Sequence, residues 1–468
     1  MVMAYIDTKL VNSICDRSFR IECTNIKLIP NSDKEPSYQG PGFISFNHEE
    51  NLQATLFIDD AKDPPYSLGG AGSILSNEQL YQIRAVSLDG SVWTSTDIPK
   101  ITRFRRARNG EAAIVDVELS EIKNKASLFP GEFKAQVYPA SLRMFVTEKI
   151  DFPCNISSQS ERRVGDEWIS GNSTLDCAKF STSDIEFLVL SAESYIELRA
   201  ELSCDVEYIE TRIQEAMLFT LSHPFHWSIM RLEYQDQGVT RICPVKKPWS
   251  VAINESPLQY DYIERKDIPV WPIFTSYFEY IRKNDSPNWH AISRHIIFSL
   301  GGGNSKLDLK MLRLGVAIEG VLADEYSHVG TDDNAVQAAL SSLEEYLRGW
   351  EYGDNPECEL SIKRRLGGII NQMKSNKNAT ARLNALLDRG VITKNEIDSW
   401  KRCRNSYAHG YYPKQLPNQK DFDDIGRMTT LLHKIIFQAI GYSGKYTDYG
   451  QRGWPTLDFR PVVRSESQ

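Results

Sequence analysis

The hydrophobic pattern of this chain changes period once, near Cys204, and that change restricts the fold more than any single motif does. Before it, apolar and polar residues alternate in short runs, the period of a strand with one buried face. Phe19 to Ile29 (FRIECTNIKLI) and Asn51 to Ile58 (NLQATLFI) show the alternation. Tyr81 to Thr96 (YQIRAVSLDGSVWTST) reads as a hairpin, because Asp89-Gly90 supplies a tight turn between two alternating runs. Glu132 to Val146 and Ile185 to Leu202 are further strand candidates. Loops rich in Gly, Pro, Asn and Ser, such as Asn31 to Gly42 and Asp60 to Gly72, separate them. Many short strands with turn signals predict an antiparallel sandwich or barrel.

After Cys204 the apolar residues recur at helical spacing. Val206, Ile209, Ile213, Met217 and Thr220 line one helix, and Val270 to Asn284 and Asn288 to Leu300 predict two more. Gly301-Gly302-Gly303-Asn304 then marks a boundary. Beyond it lie four stripes: Leu307/Met311/Leu314/Ile318/Leu322, Val336/Leu340/Leu343/Leu347, Ile362/Leu366/Ile369/Met373, and Phe422/Ile425/Met428/Leu432/Ile435/Ala439. Amphipathic helices with short polar connections predict a bundle. The segment after Tyr442, rich in Gly, Tyr and Pro, predicts coil. The expected class is therefore α+β and multidomain. A β-rich antiparallel region spans 1–204, a helical or mixed connecting region 205–300, and a helical bundle 301–468.

At 468 residues the chain exceeds one ordinary domain. Residues 301–468 carry 23 Lys and Arg against 21 Asp and Glu, a net of +2. The whole chain carries 54 against 62, a net of −8, so residues 1–300 hold −10. That balance excludes a broad non-specific nucleic-acid binder and makes any polyanion contact local. None of the eight cysteines forms a C-x-x-C pair, which argues against a zinc ribbon and a disulfide scaffold. No apolar run reaches the roughly 18 residues a bilayer crossing needs, and no basic-then-apolar secretory layout opens the sequence. A soluble, cytoplasmic protein is the expectation.

One stretch concentrates chemistry: TKNEIDSWKRCRNSYAHG, Thr393 to Gly410. Thr393 and Glu396 stand at capping-box spacing, Ile397, Trp400 and Tyr407 give an apolar face, and Gly410 suits a left-handed cap. Near the end lie Arg404, Asn405 and His409. Metal-free RNA cleavage needs a base for the 2′-hydroxyl proton, an acid for the leaving 5′-oxygen and a cation for the phosphorane. His409 titrates in the range for proton transfer, and Arg404 stays charged and can fork two bonds onto phosphate. Asn405 can orient the histidine or bind phosphate. Five helical residues turn about 500°, so Arg404 and His409 point about 140° apart. Either the helix end distorts or two copies of the motif meet, as an isologous two-fold interface allows.

The run Arg404-Asn405-Ser406-Tyr407-Ala408-His409 in a late helix resembles the signature of the HEPN superfamily of ribonucleases: Arg, a polar residue, a short spacer, His. An earlier helix in many members bears a polar, often acidic residue facing the arginine. Glu319 in LGVAIEGVLA stands at that place. A strand-rich N-terminal part before the bundle is similar to the ApeA type of bacterial anti-phage HEPN proteins. The bundle likeness covers residues 305–442, and the N-terminal likeness is one of architecture. The resemblance implies a metal-independent endoribonuclease without cofactor, leaving 2′,3′-cyclic phosphate ends, with transfer RNA as one candidate substrate. It implies Arg404, Asn405, His409 and Glu319 as site residues and a homodimer formed through the C-terminal bundle. An N-terminal region that senses a phage-derived trigger or restrains the nuclease, in abortive infection, completes it. The alternative is a non-catalytic HEPN-type module for dimerisation or nucleotide or RNA binding. In it Arg404 would pair with Glu319 to hold two helices together and His409 would meet the helix C-terminal carbonyls.

Other candidates are auxiliary. Lys401, Arg402, Lys363, Arg364 and Arg365 are expected RNA-backbone contacts or simply solvated helix faces. Arg103-Phe104-Arg105-Arg106-Ala107-Arg108 can bind phosphate but reads better as a solvated edge strand or loop. His223, His226, His290 and His295 lack neighbours at ligand spacing, so no metal is expected. Cys403 reads as a packing residue.

Overall fold

The computed structural model describes residues 8–33, 36–59, 80–98, 101–106, 112–127, 140–147, 150–158, 161–164, 167–170, 174–203, 206–234, 237–245, 255–260, 269–300, 307–329, 334–351, 356–375, 379–408 and 418–462. The chain forms two compact units. One comprises Met1–Glu210, His223–Trp249 and Ile263–Trp271, the other Thr211–Ser222, Ser250–Tyr262 and Pro272–Gln468. The division thus runs through the expected connecting region, whose residues are shared between the two. Gly301 to Asn304, expected as a boundary, lies outside the described residues, and the second unit continues across it.

The first unit holds helix α1 (Thr8–Cys15) and strands β1 (Arg20–Pro30), β2 (Tyr38–Phe46), β3 (Leu52–Ile58), β4 (Tyr81–Ser87), β5 (Val92–Ile98), β6 (Ile101–Arg106), β7 (Ala113–Leu119), β8 (Ile122–Ser127), β9 (Ser141–Val146), β10 (Ile156–Ser158), β11 (Glu161–Val164), β12 (Glu167–Ser170), β13 (Thr174–Ser181), β14 (Ile185–Ser191), β15 (Ile196–Leu202), β16 (Ile229–Glu233) and β17 (Gln237–Ile242). Among the described residues, fifteen strands make one antiparallel sheet in the order β10-β13-β14-β15-β9-β16-β17-β8-β5-β4-β1-β2-β3-β7-β6. β11 and β12 pair separately.

The alternation read from the sequence is the burial pattern. In β4, Tyr81, Ile83 and Ala85 are buried and Gln82 and Arg84 exposed. The turn to β5 is made as expected: Gly90 has φ 84°, and Asp89 accepts hydrogen bonds from the Ser87 hydroxyl and the Ser91 N–H. Two expectations change. Ile185 to Leu202 is two strands, not one. The chain reverses at Ala192–Tyr195, where the Ala192 N–H donates to the Tyr195 carbonyl, at a turn without Gly or Pro to announce it. The β16–β17 hairpin, inside a stretch read as helical or mixed, inserts between β9 and β8 and joins the two runs of strands into one sheet.

The second unit contains α2 (Ile209–Leu221), whose first two residues belong to the first unit, then α3 (Trp271–Ile281), whose first residue does too, α4 (Ala291–Leu300), α5 (Leu307–Glu325), α6 (Asn334–Gly349), α7 (Pro356–Ser375), α8 (Ala379–Asp388), α9 (Lys394–Ala408) and α10 (Gln419–Ile440). Helix α10 starts with a capping box, Asn418 with Asp421. Of its apolar stripe, Ile425, Met428, Leu432 and Ile435 are buried, Ala439 is half-buried and Phe422 is exposed; of α5's, Met311, Leu314, Ile318 and Leu322 are buried and Leu307 is half-buried. The stripes of α6 and α7 behave differently: Leu340, Leu347 and Ile370 form a small core of their own, while Leu343, Leu366 and Ile369 are exposed. The C-terminal segment is not all coil. β18 (Gly444–Thr447) and β19 (Thr456–Phe459) form a ribbon, and the loop between its strands lies on α10. A Cβ added at Gly426 would sit 2.1 Å from the Tyr449 carbonyl oxygen. Gly426→Ala is therefore expected to destabilise the unit by about 1–3 kcal/mol, read as a lower urea midpoint at unchanged slope. Among the described residues no helix is long and apolar enough to cross a membrane.

Candidate active site

Helix α9 is anchored at its first turn. The Thr393 N–H donates to Glu396 Oε2 at 2.7 Å, and the Glu396 N–H reaches Thr393 Oγ1 at 3.4 Å, the reciprocal cap expected of this spacing. The other carboxylate oxygen accepts from Lys434 Nζ of α10 at 2.8 Å, and both side chains are buried. Burial alone would push the Lys434 ammonium down. The Glu396 charge beside it outweighs that and holds it above its ordinary value.

Farther along, successive faces of α9 meet different helices. Ile397, Trp400 and Cys403 are buried. Ser399 and Arg402 both turn to Asp424 near the start of α10: Ser399 Oγ donates at 2.8 Å, and Arg402 donates through Nε at 2.8 Å and Nη2 at 2.5 Å. Arg427 adds a third donor side chain at 3.2 Å. Burial raises the Asp424 carboxyl, but the bonds from Arg402 and Ser399 overcome it and hold the group below the usual carboxylate range. Because Glu396 meets late α10 and Arg402 meets early α10, the two helices run antiparallel. The motif end of α9 therefore lies beside the N-terminal turns of α10. The Cys403 thiol is pushed up to about 12, by burial first and then by Asp424, which makes it a packing residue.

Two residues after Arg402, about 200° around the helix, Arg404 turns to α5 instead. Its Nε donates to Glu319 Oε1 at 2.8 Å. The arginine side chain is 41 % exposed and the glutamate 35 %, so the pair is open to solvent rather than sealed between helices. Asn405 lies on α9, with its side chain outside the described residues, and His409 lies outside them altogether. The structure thus brings together Arg404 and Glu319 of the expected set.

The auxiliary cations divide. Arg402 is committed to Asp424, a partner that sequence reading missed because an Asp–Arg pair 22 positions apart has no local signal. Lys401, on α9, is half-buried. Lys363 bonds Glu359 at 2.7 Å and the Arg348 carbonyl at 3.2 Å, whereas Arg364 and Arg365 are exposed. These three stand on α7, which packs on α6, while Arg404 stands on α9 between α5 and α10. In the other unit, Arg103, Arg105 and Arg106 lie on β6, a terminal strand of the sheet, with Arg105 3.5 Å from Asp116. Arg108 lies outside the described residues. His295 Nε2 is 2.8 Å from Asp324 Oδ2, and His290 is pushed down to about 4, by burial first and then by the Arg212 charge. Among the described residues no group of three or more His, Cys, Asp or Glu is placed to hold a metal ion. Compared with protein-family models, curated proteins and solved structures, the chain matches none.

Proposed function

We propose that the helical unit is a metal-independent endoribonuclease of the HEPN kind, acting in bacterial anti-phage defence by abortive infection. The observation that carries this reading is the Arg404–Glu319 pair: a fixed cation, oriented by a carboxylate from a second helix, yet two-fifths open to solvent. The contact is made through Nε, so the terminal nitrogens of the fork are the atoms with which Arg404 would bind a phosphate oxygen. His409, five residues on, would take the 2′-hydroxyl proton and return one to the leaving 5′-oxygen, giving a 2′,3′-cyclic phosphate. A second copy would supply the facing motif in a homodimer, and the β-rich unit would sense a phage-derived trigger or restrain the nuclease. The cytoplasm is the expected site of action, and transfer RNA a candidate substrate.

A partly exposed pair contributes at most about 1 kcal/mol, so Arg404→Ala should remain folded. The expected result is that Arg404→Ala and His409→Ala each lose protection of phage-challenged cells and fail to produce new RNA ends in vitro. Variants that protect and cleave like the parent would overturn the proposal. The second reading, a non-catalytic HEPN-type regulatory module, is favoured by the commitment of Arg402 and Arg404 to helix–helix pairs. It predicts no RNA ends under any trigger and, in Arg404→Ala, a loss of stability of up to about 1 kcal/mol.

A further inference from the structure

The β-rich unit contains a cavity of about 390 Å³ lined by Ile14, Cys15 and Arg17 at the end of α1, Phe46, Asn47, His48 and Glu50 at the β2–β3 turn, and Thr147 and Val245. That volume is in the range of small-molecule sites. Its floor is apolar: Ile14 is buried, and Phe46 is held against Phe19 with ring centroids 5.1 Å apart. The rim is unusual. Arg17 has φ 64° and Glu50 φ 68°, the left-handed conformation that glycine adopts without strain. Both are places where a glycine ordinarily ends a helix or closes a hairpin turn. The chain instead spends strain at both to carry opposite charges, and Arg17 Nη2 meets Glu50 Oε1 at 2.5 Å. Asn47 Oδ1 accepts from the Glu49 and Asn51 N–H groups, at 2.8 and 3.0 Å, and so fixes the turn that presents Glu50.

The two partners are not equivalent. The Arg17 side chain is 77 % exposed and the Glu50 side chain 19 %. Arg17 can leave the pair for water at little cost, whereas a mostly buried carboxylate must keep a cation or lose much of its solvation. An anion that displaced Glu50 from Arg17 would strand that carboxylate. A cation that displaced Arg17 would not. We propose that this cavity is a binding site for a small organic cation, an alkyl- or arylammonium, amidinium or guanidinium. Its charged head replaces the Arg17 guanidinium at Glu50, and its apolar stem lies on Ile14, Phe46 and Val245. Arg17 is then the resident occupant of the mouth, and binding is an exchange of one cation for another. The Phe46 ring adds an attractive face for the incoming charge, and the Thr147 hydroxyl, 3.1 Å from Ser228 Oγ, adds a polar contact on the wall. This site is independent of the Arg404 chemistry.

The test is a ligand-observed NMR titration of the full-length protein with benzamidine, benzoate and benzyl alcohol. Benzamidine is expected to saturate, with the other two weaker by about tenfold or more. Glu50→Gln should weaken benzamidine by about tenfold or more, and Arg17→Gly should tighten it, because the competing guanidinium is removed. Arg17→Gly places at a left-handed position the residue that prefers it, so the variant keeps the fold. Benzoate binding as tightly as benzamidine, an unchanged affinity in Glu50→Gln, or no saturable benzamidine binding to Arg17→Gly overturns the proposal. A blocked arginine tripeptide that binds more tightly than benzamidine overturns the small-molecule assignment.

Discussion

Lys434→Ala is expected to lower the unfolding free energy of the helical unit by about 3–5 kcal/mol, because it leaves the Glu396 carboxylate buried without its cation. The pair is closed on both sides: the two side chains are 9 % and 6 % exposed, and the ammonium also lies 5.6 Å from the centre of the Tyr446 ring. The Thr393 N–H would remain to Glu396, but one neutral donor does not offset a buried charge. Combining Lys434→Met with Glu396→Gln should recover most of the loss, since glutamine keeps the reciprocal cap and methionine fills the stem's volume. Urea unfolding followed by tryptophan fluorescence reads both variants. A loss below about 1 kcal/mol in Lys434→Ala would show that water reaches the pair. The change also bears on the candidate active site. Glu396 opens the helix that carries Arg404, so under the proposed ribonuclease reading a loosened first turn should also lower RNA cleavage.

Acid should unfold the same unit early, through His433. Its imidazole is buried on α10, among the rings of Phe219, Phe437 and Tyr449 at 6.1–6.3 Å, and among the described residues Nδ1 has no hydrogen-bond partner. Burial pushes it down to about 3 from the ordinary 6.5. The folded chain therefore holds the neutral ring while the unfolded chain takes a proton near pH 6.5. The stability this group supports is complete above pH 6.5 and is lost as the pH falls toward 3, at about 1.4 kcal/mol for each unit. His290, held near 4, adds a second slope of the same sign. Asp424, held below the ordinary carboxylate range, adds a loss that begins only below pH 4. His433→Phe is expected to remove about 2 kcal/mol of the difference in unfolding free energy between pH 6.5 and pH 5. Equal slopes in parent and variant would place the ring in contact with water.

What could be read from the residues divides along range. The Thr393/Glu396 cap, the Asp89-Gly90 hairpin and the buried stripes of α5 and α10 depend on neighbours a few positions apart, and each formed as its spacing required. The turn at Ala192–Tyr195 escaped because its residues include no Gly or Pro, although its geometry is equally local. The stripes of α6 and α7 misled for another reason. An apolar face states that burial is favourable, not that a partner is present, and Leu343 and Ile369 are exposed beside a core of three of the described residues.

By itself the sequence determined the period of each element, its caps and the presence of a charged motif on a late helix, because these follow from backbone geometry over one or two turns. Only the tertiary structure decided which elements meet. It set the β16–β17 hairpin between β9 and β8, sent Arg402 to Asp424 and Arg404 to Glu319, and paired Arg17 with Glu50 at the rim of a cavity. Arg404 and Glu319 lie 85 positions apart. At that separation no local preference acts, and a contact exists only because the packing of two helices brings its partners together.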